Sequence, residues 1–200
     1  MGMTMLFNER IAQRFGSAAA HYDEQALAQR QSAQQLMVGQ ILQGRVLDIG
    51  CGTGWLTRDI AEHHPIDVIV ALDIALPMLK AEQLQHPSII PIQADAAFLP
   101  FQNNSFDAVV SNFALQWLAS PQNFAQELAR VLAKDGQFCL AIPVDGTLRE
   151  LNQAWAQLDI RRHTNQFFAT QTWLDAFRYV GLTIQSQQQS AFYQYYDSTK

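Results

Sequence analysis

Residues Val46 to Gly54 read VLDIGCGTG, an apolar run passing straight into a loop with glycine at 50, 52 and 54. This is the feature that most restricts the fold. A strand ends where the glycines let the chain turn sharply and approach a ligand without a Cβ in the way, and a helix begins near Trp55 with its first N–H groups unsatisfied. Strand, loop and helix together make the ligand-binding edge of an α/β sheet, and the ligand chemistry is nucleotide-like. The GxGxG spacing departs from the GxGxxG of dinucleotide folds and lacks the Gly-Lys-Ser/Thr ending of a P-loop, which disfavours hydride transfer and phosphate hydrolysis. Asp48, just before the loop, repels pyrophosphate but suits the ammonium group of an amino acid.

From Arg45 to about Ile142 short apolar runs alternate with helical stretches, the pattern of a parallel sheet covered on both faces. Strands are expected at Arg45 to Ile49, Asp67 to Leu72, Ile89 to Gln93, Ala108 to Ser111 and Gln137 to Ile142. Helices are expected at Trp55 to His63, Pro77 to Gln85 and Pro121 to Leu132, the last stopped by Lys134-Asp135-Gly136. Right-handed crossovers gather Asp48, Asp73, Asp95 and Ser111 at the carboxyl edge of that sheet, where ligands of open α/β sheets bind. Leu151, Trp155 and Leu158 lie at helical spacing and are read as core packing.

Two hundred residues at 48% apolar content fit one domain. A formal charge of −5 with thirteen Lys plus Arg and no evident cationic cluster disfavours nucleic acid as a partner. The two cysteines, Cys51 and Cys139, form no CxxC or Cys/His array, so no metal is expected and both read as reduced cytoplasmic thiols. Charges interrupt the opening MGMTMLFNERIAQRF where a signal peptide needs an apolar stretch, Leu6 replaces the Ser or Thr of a myristoylation signal, and no apolar run reaches the roughly 18 residues of a membrane span.

The motif with Asp48 ahead of it resembles motif I of class I S-adenosylmethionine (SAM) methyltransferases. The resemblance implies a Rossmann-like three-layer sandwich, SAM as cofactor, and cofactor contacts at Asp48, Gly50, Cys51, Gly52 and Gly54. Asp73, closing VIVALD, with Ile74 beside it, is placed to accept from ribose hydroxyls or to N-cap the helix near Pro77. In ADA, Asp95 and the N–H of Ala96 correspond to the family segment that meets the adenine edge; an Asp turn is the alternative. Ser111 opens SNFALQW, where these enzymes line the methyl-donor pocket. There Gln116 and Trp117 either orient the substrate beside the sulfonium or pack.

FGSAAAHYDEQALAQRQSAQQL near the start, and FALQWLASPQNFAQELARVLAKDGQFCLAIPVDGTLRELNQAW followed by HTNQFF, resemble the malonyl-acyl-carrier-protein O-methyltransferases of biotin synthesis over most of the chain. That resemblance implies methylation of the malonyl carboxylate on the carrier protein. Enzymes acting on a free small acid or a quinone precursor share the SAM motifs, and a non-catalytic SAM-binding domain is the reading from another class. A carboxylate is ionised at neutral pH, so attack on the sulfonium methyl needs alignment and no general base. Alignment in a dry pocket needs a lid. Residues 1–44 are assigned to it, with Tyr22 closing over the methionine moiety and Asp23 fixing the lid or the substrate carbonyl side, or else Tyr22 packing on the core and Asp23 favouring the helix start. Residues 45–145 form the cofactor core, and 146–200 carry substrate-side helices and a sixth strand from Leu182 to about Tyr193. Arg149, His163 and the pair Arg161-Arg162 are the cations available to face the carboxylate or an acidic carrier, unless they are solvated charges. Relatives in this class continue with a further helix and a seventh, antiparallel strand, and no residues remain here for it; an unpaired edge and impaired turnover are the expected consequences. The sequence says nothing about oligomeric state.

Overall fold

The computed structural model describes residues 12–13, 15–17, 22–158 and 164–193. Helices α1 (Tyr22–Gln25) and α2 (Leu27–Met37) precede β1 (Gly44–Ile49), α3 (Trp55–His63), β2 (Ile66–Asp73), β3 (Ile89–Gln93) and β4 (Phe106–Asn112). Then come α4 (Pro121–Val131), β5 (Leu132–Ala141), α5 (Arg149–Ala156) and α6 (Thr170–Tyr179). The five strands are parallel, in the order β3-β2-β1-β4-β5. The order reverses between β1 and β4, and the crevice beyond the carboxyl ends of those two strands is where an open α/β sheet binds ligands.

Alternation along the strands sets the two faces. Leu47, Ile49 and Val109 join Phe124, Leu128, Trp173 and Phe177 under α4 and α6, whereas Val46, Ala108 and Val110 join Ala33, Leu56 and Ile60 under α2 and α3. Both faces are covered, hence the continuous apolar runs. Helix α4 begins as its sequence suggests: the Ser120 hydroxyl accepts from the Asn123 N–H at 3.2 Å, with Pro121 in the first turn.

Four expectations are corrected. Pro77 to Gln85 is not one helix but two 3₁₀ turns, Met78–Lys80 and Glu82–Leu84, separated by Ala81 in extended conformation. That break brings Leu84 against Gly54, which a straight helix burying only Met78 and Leu79 would not do. Lys134-Asp135-Gly136 ends no helix: α4 stops at Val131, and the tripeptide interrupts the β4–β5 register between Phe106↔Leu132 and Ala108↔Gln137, with Asp135 at φ +63°. Residues 182–193 form no strand; Leu182 and Ile184 pack on the core margin, and the polar QSQQQS stretch between them and Phe192 has no apolar face to bury. Leu151, Trp155 and Leu158 are exposed at 40%, 37% and 75%, so they are not core, and α5 has no buried residue.

Candidate functional site

The glycine loop is fastened from below. The N–H groups of Gly50 and Cys51 both donate to the Leu72 carbonyl, at 2.7 and 3.0 Å. Gly50 lies so close to the loop after β4 that a Cβ on it would stand 2.1 Å from the Ala114 Cβ. Gly52 faces the other way: its N–H donates to Asp73 Oδ2 at 3.0 Å, and Tyr22 Cε1 lies 3.7 Å from where its Cβ would be. Helix α3 starts at Gly54 without a side-chain cap, so its first N–H groups face the loop, as the motif requires.

Three carboxylates surround this loop. Asp48 is 1% exposed and accepts from Thr57 Oγ1 at 2.6 Å; burial pushes its carboxyl up to about 7 against the effect of that bond, with the nearby Asp73 charge adding to the rise. Asp73 also accepts from the Ala75 N–H through Oδ1 at 2.8 Å. Burial raises its pKa, while the backbone N–H groups of Ala75, Gly52 and Ile74 oppose the rise. It therefore caps the turn after β2 and anchors the loop, and its oxygens keep lone pairs for further donors. Asp23, on α1, accepts from Thr53 Oγ1 at 2.6 Å and faces Arg30 Nη2 at 3.9 Å.

The N-terminal helices roof the loop. Tyr22 and Asp23 lie on one side, and Asn112 at the end of β4 donates through Nδ2 to the Gln29 carbonyl of α2 at 2.9 Å. Phe15 packs edge-on against both Tyr22 and Trp117, at centroid distances of 6.3 and 5.4 Å. Burial raises the Tyr22 hydroxyl pKa, and the Asp73 and Asp23 charges raise it further. Between roof and loop is a cavity walled by Tyr22, Asp23, Arg30, Asp48, Gly50 to Thr53 and Asn112, among others. Three carboxylates in and beside it, Arg30 on its wall and a glycine-lined floor suit a ligand with a cationic end and a polar sugar.

Tyr22, Asp23, Asp48, Gly50, Cys51 and Gly52 thus converge, with Asp73, Ile74 and Gly54 directly behind. Asp95 and Ala96 stand at the end of β3, outside that wall; Asp95 Oδ1 accepts from the Ala97 N–H at 2.9 Å, so the Asp turn is present. Ser111 is not on the wall. It is fully buried and its hydroxyl donates to the Ile49 carbonyl at 2.8 Å, tying β4 to β1. Gln116 Nε2 donates to the Phe113 carbonyl at 2.7 Å, holding a turn in which Phe113 has φ +52°. Arg149 is exposed at the start of α5, its guanidinium over Gly146 and away from the cavity wall. His163, Arg161 and Arg162 lie outside the described residues.

Thr53, Arg30 and Asn112 were not expected at the site. Thr53 lies inside the glycine motif and Asn112 one residue past the predicted strand, so position signalled both; Arg30 shows only as the cation on the cavity side of α2. Replacing Thr53 by Val removes the hydroxyl that holds Asp23. The expected result is affinity for S-adenosylhomocysteine weakened about 3- to 10-fold with the melting temperature little changed, and calorimetry beside a thermal melt checks it.

A methyltransferase-domain family model matches residues 47–140. The chain is 36% identical over 172 residues to the malonyl-[acyl-carrier protein] O-methyltransferase of Pseudescherichia vulneris, covering 85% of this chain and 68% of that protein. It is 38% identical over 183 residues to the biotin biosynthesis bifunctional protein BioHC of Cellvibrio japonicus, covering 90% of this chain but only 36% of that longer protein. Among solved structures, a chain in the complex of the Haloferax volcanii Trm112 methyltransferase activator with a methyltransferase superposes with a TM-score of 0.69 at 22% identity, over 84% of this chain and 75% of that one; at this identity the match speaks for the fold. With the glycine-loop cavity at the β1/β4 reversal and this extent of shared sequence, the chain belongs to the malonyl-[acyl-carrier protein] O-methyltransferase family, on the class I SAM-dependent methyltransferase fold.

Proposed function

We propose that this chain transfers the methyl group of SAM to the free carboxylate of a malonyl thioester on acyl-carrier protein, giving the methyl ester used in biotin synthesis. The observation that carries the reading is the roofed cavity with acidic walls over Gly52, in a chain that aligns with such enzymes along most of its length. SAM supplies an electrophilic methyl on a sulfonium, and the site suits it: Asp48 on the cavity wall would hold the ammonium, Asp73 behind the loop the ribose diol, and Asp95 with the Ala96 N–H, beyond the wall at the end of β3, the adenine edge. Residues 1–44 act as the lid, 45–145 as the cofactor core and 146–200 as the substrate side. Support for the lid comes from the Asp23–Thr53 bond and from Tyr22 over Gly52.

The malonyl carboxylate is ionised at neutral pH and needs no base. What the chain's own residues supply is alignment and exclusion of water, worth about 7–11 kcal/mol in favourable cases. Tyr22 shields the methionyl end, and Gln116 shapes the acceptor side by holding the Phe113 turn. Arg149, exposed beside Gly146, reaches acceptor or carrier from outside the cofactor cavity. No helix among the described residues is long and apolar enough to cross a membrane. Two free thiols suit a reaction run in a reducing cytoplasm.

The test is methyl-labelled SAM incubated with malonyl-carrier protein or with free malonate. Label appearing in the carrier as a base-labile ester, and much faster than in free malonate, is the expected result. Equal labelling of free acids would overturn the carrier assignment, and binding without transfer to either would overturn the enzyme.

A further inference from the structure

Glu127 and Arg130 lie on one face of α4, close to where that helix runs into β5. Arg130 meets Glu127 with two parallel bonds, Nε to Oε1 and Nη2 to Oε2, each 2.7 Å long. The pair reaches further. Glu127 Oε2 accepts from the Leu99 N–H at 2.8 Å and Arg130 Nη2 donates to the Leu99 carbonyl at 2.9 Å, so both backbone groups of one loop residue are held by it. Arg130 Nη1 also donates to the Phe101 carbonyl at 2.6 Å and to Asn103 Oδ1 at 3.3 Å. The guanidinium holds the Glu127 carboxyl below its ordinary value, with partial burial opposing and the Leu99 N–H helping. A partly exposed ion pair adds little to stability by itself, but a planar fork spread over several backbone groups fixes the geometry of a loop.

That loop continues from the end of β3. The Ala94 N–H donates to the Asp73 carbonyl at 3.1 Å, Asp95 accepts from the N–H groups of Ala97 and Phe98 at 2.9 and 3.0 Å, and the buried Leu99 follows. The turn over residues 95–98 is thus slung between two anchors, β2 on one side and the Glu127–Arg130 fork on the other. Neither residue of the fork lies on the cavity wall. Resting on the SAM reading above, with Asp95 and the Ala96 N–H at the adenine edge, we infer that Glu127 and Arg130 are positioning residues for recognition of the base: acting through Leu99, they hold the turn at the spacing that tells adenine from other purines. Adenine offers an amino group to a carboxylate and a ring nitrogen to an N–H. Hypoxanthine reverses both, with a carbonyl facing the carboxylate and a ring N–H facing the backbone donor, so discrimination between the two bases reports how firmly the turn is held.

The test is calorimetry on the whole chain with S-adenosylhomocysteine and its hypoxanthine counterpart, S-inosylhomocysteine, read as the ratio of the two affinities. The parent is expected to prefer the adenine form about 100-fold or more. Arg130→Met and Glu127→Gln should each cut that ratio about 5- to 20-fold, through weaker S-adenosylhomocysteine, with S-inosylhomocysteine within about twofold. Arg130→Lys keeps the charge, but one ammonium cannot span Glu127, Leu99 and Phe101, so it should recover little of the ratio. Val131→Ala trims the buried core under the same helix and leaves the fork alone; it should melt lower and keep the parent ratio. An unchanged ratio in Arg130→Met and Glu127→Gln, or an equal fall in Val131→Ala, overturns the assignment and leaves the fork a stabiliser of the fold. A parent chain that binds neither probe defeats the cofactor reading, and one that binds both alike defeats the adenine edge at Asp95 and Ala96; the fork's role falls with either. A discriminating parent whose fork variants discriminate equally well defeats the fork's role alone.

Discussion

Asp48→Asn is expected to stabilise the unliganded protein at about pH 8 by on the order of 1–3 kcal/mol while weakening cofactor binding at least tenfold. The buried Asp48 carboxyl is pushed up to about 7, whereas in an unfolded chain it ionises near ~3.9. Between those values the folded state holds a proton that the unfolded state has released. Stability therefore falls as pH rises from about 4 to about 7, by up to ~1.4 kcal/mol per unit, and the loss is complete above. Asn cannot ionise, yet its Oδ1 still accepts from Thr57, so the variant keeps the bond and removes the slope. A ligand with a positive end favours the ionised form. Parent affinity should rise toward tenfold per pH unit up to about pH 7 and then level off, and Asp48→Asn should show no such rise. Melts and calorimetry at four or more pH values check both signs; parallel stability curves for the two proteins would contradict the argument.

The second large effect is expected at Gly50. An alanine there must hold φ +70° and put its Cβ 2.1 Å from the Cβ of Ala114, a position fixed by the Phe113 turn and the Gln116 bond. The left-handed conformation costs about 1–2 kcal/mol and the overlap about 1–3 kcal/mol more. Gly50→Ala should therefore lose about 2–5 kcal/mol in denaturant titration. The same change at Gly52, where the nearest atom is Tyr22 Cε1 at 3.7 Å, should show only the conformational part. If both variants melt alike, close approach to Ala114 is not what requires glycine at 50.

The strands were legible because burial on both faces leaves unbroken apolar runs, and all five predicted strands overlap those observed. The 3₁₀ turns over 78–84 were not, since Pro77 with Met78, Leu79 and Leu84 reads as a helix unless one knows that Leu84 must reach Gly54. Trp155 shows the same limit: a helical stripe signals a helix, but not whether anything covers it. Around the loop, the placement of Asp48, the glycines and Asp73 at one sheet edge was readable because Asp48 and the glycines belong to one strand–loop–helix unit and Asp73 closes the next strand. Ser111 reaches the expected sheet edge but spends its hydroxyl on Ile49, which its position alone does not reveal, and the contact of Asn112 with Gln29 joins distant segments only through the fold.

The most direct test of the account is a crystal structure of this chain with S-adenosylhomocysteine. The account places the ligand beneath Tyr22 and over Gly52, its ribose at Asp73 and its amino-acid end toward Asp48. Density for the ligand elsewhere, or in that cavity with the amino-acid end turned away from Asp48, would contradict it.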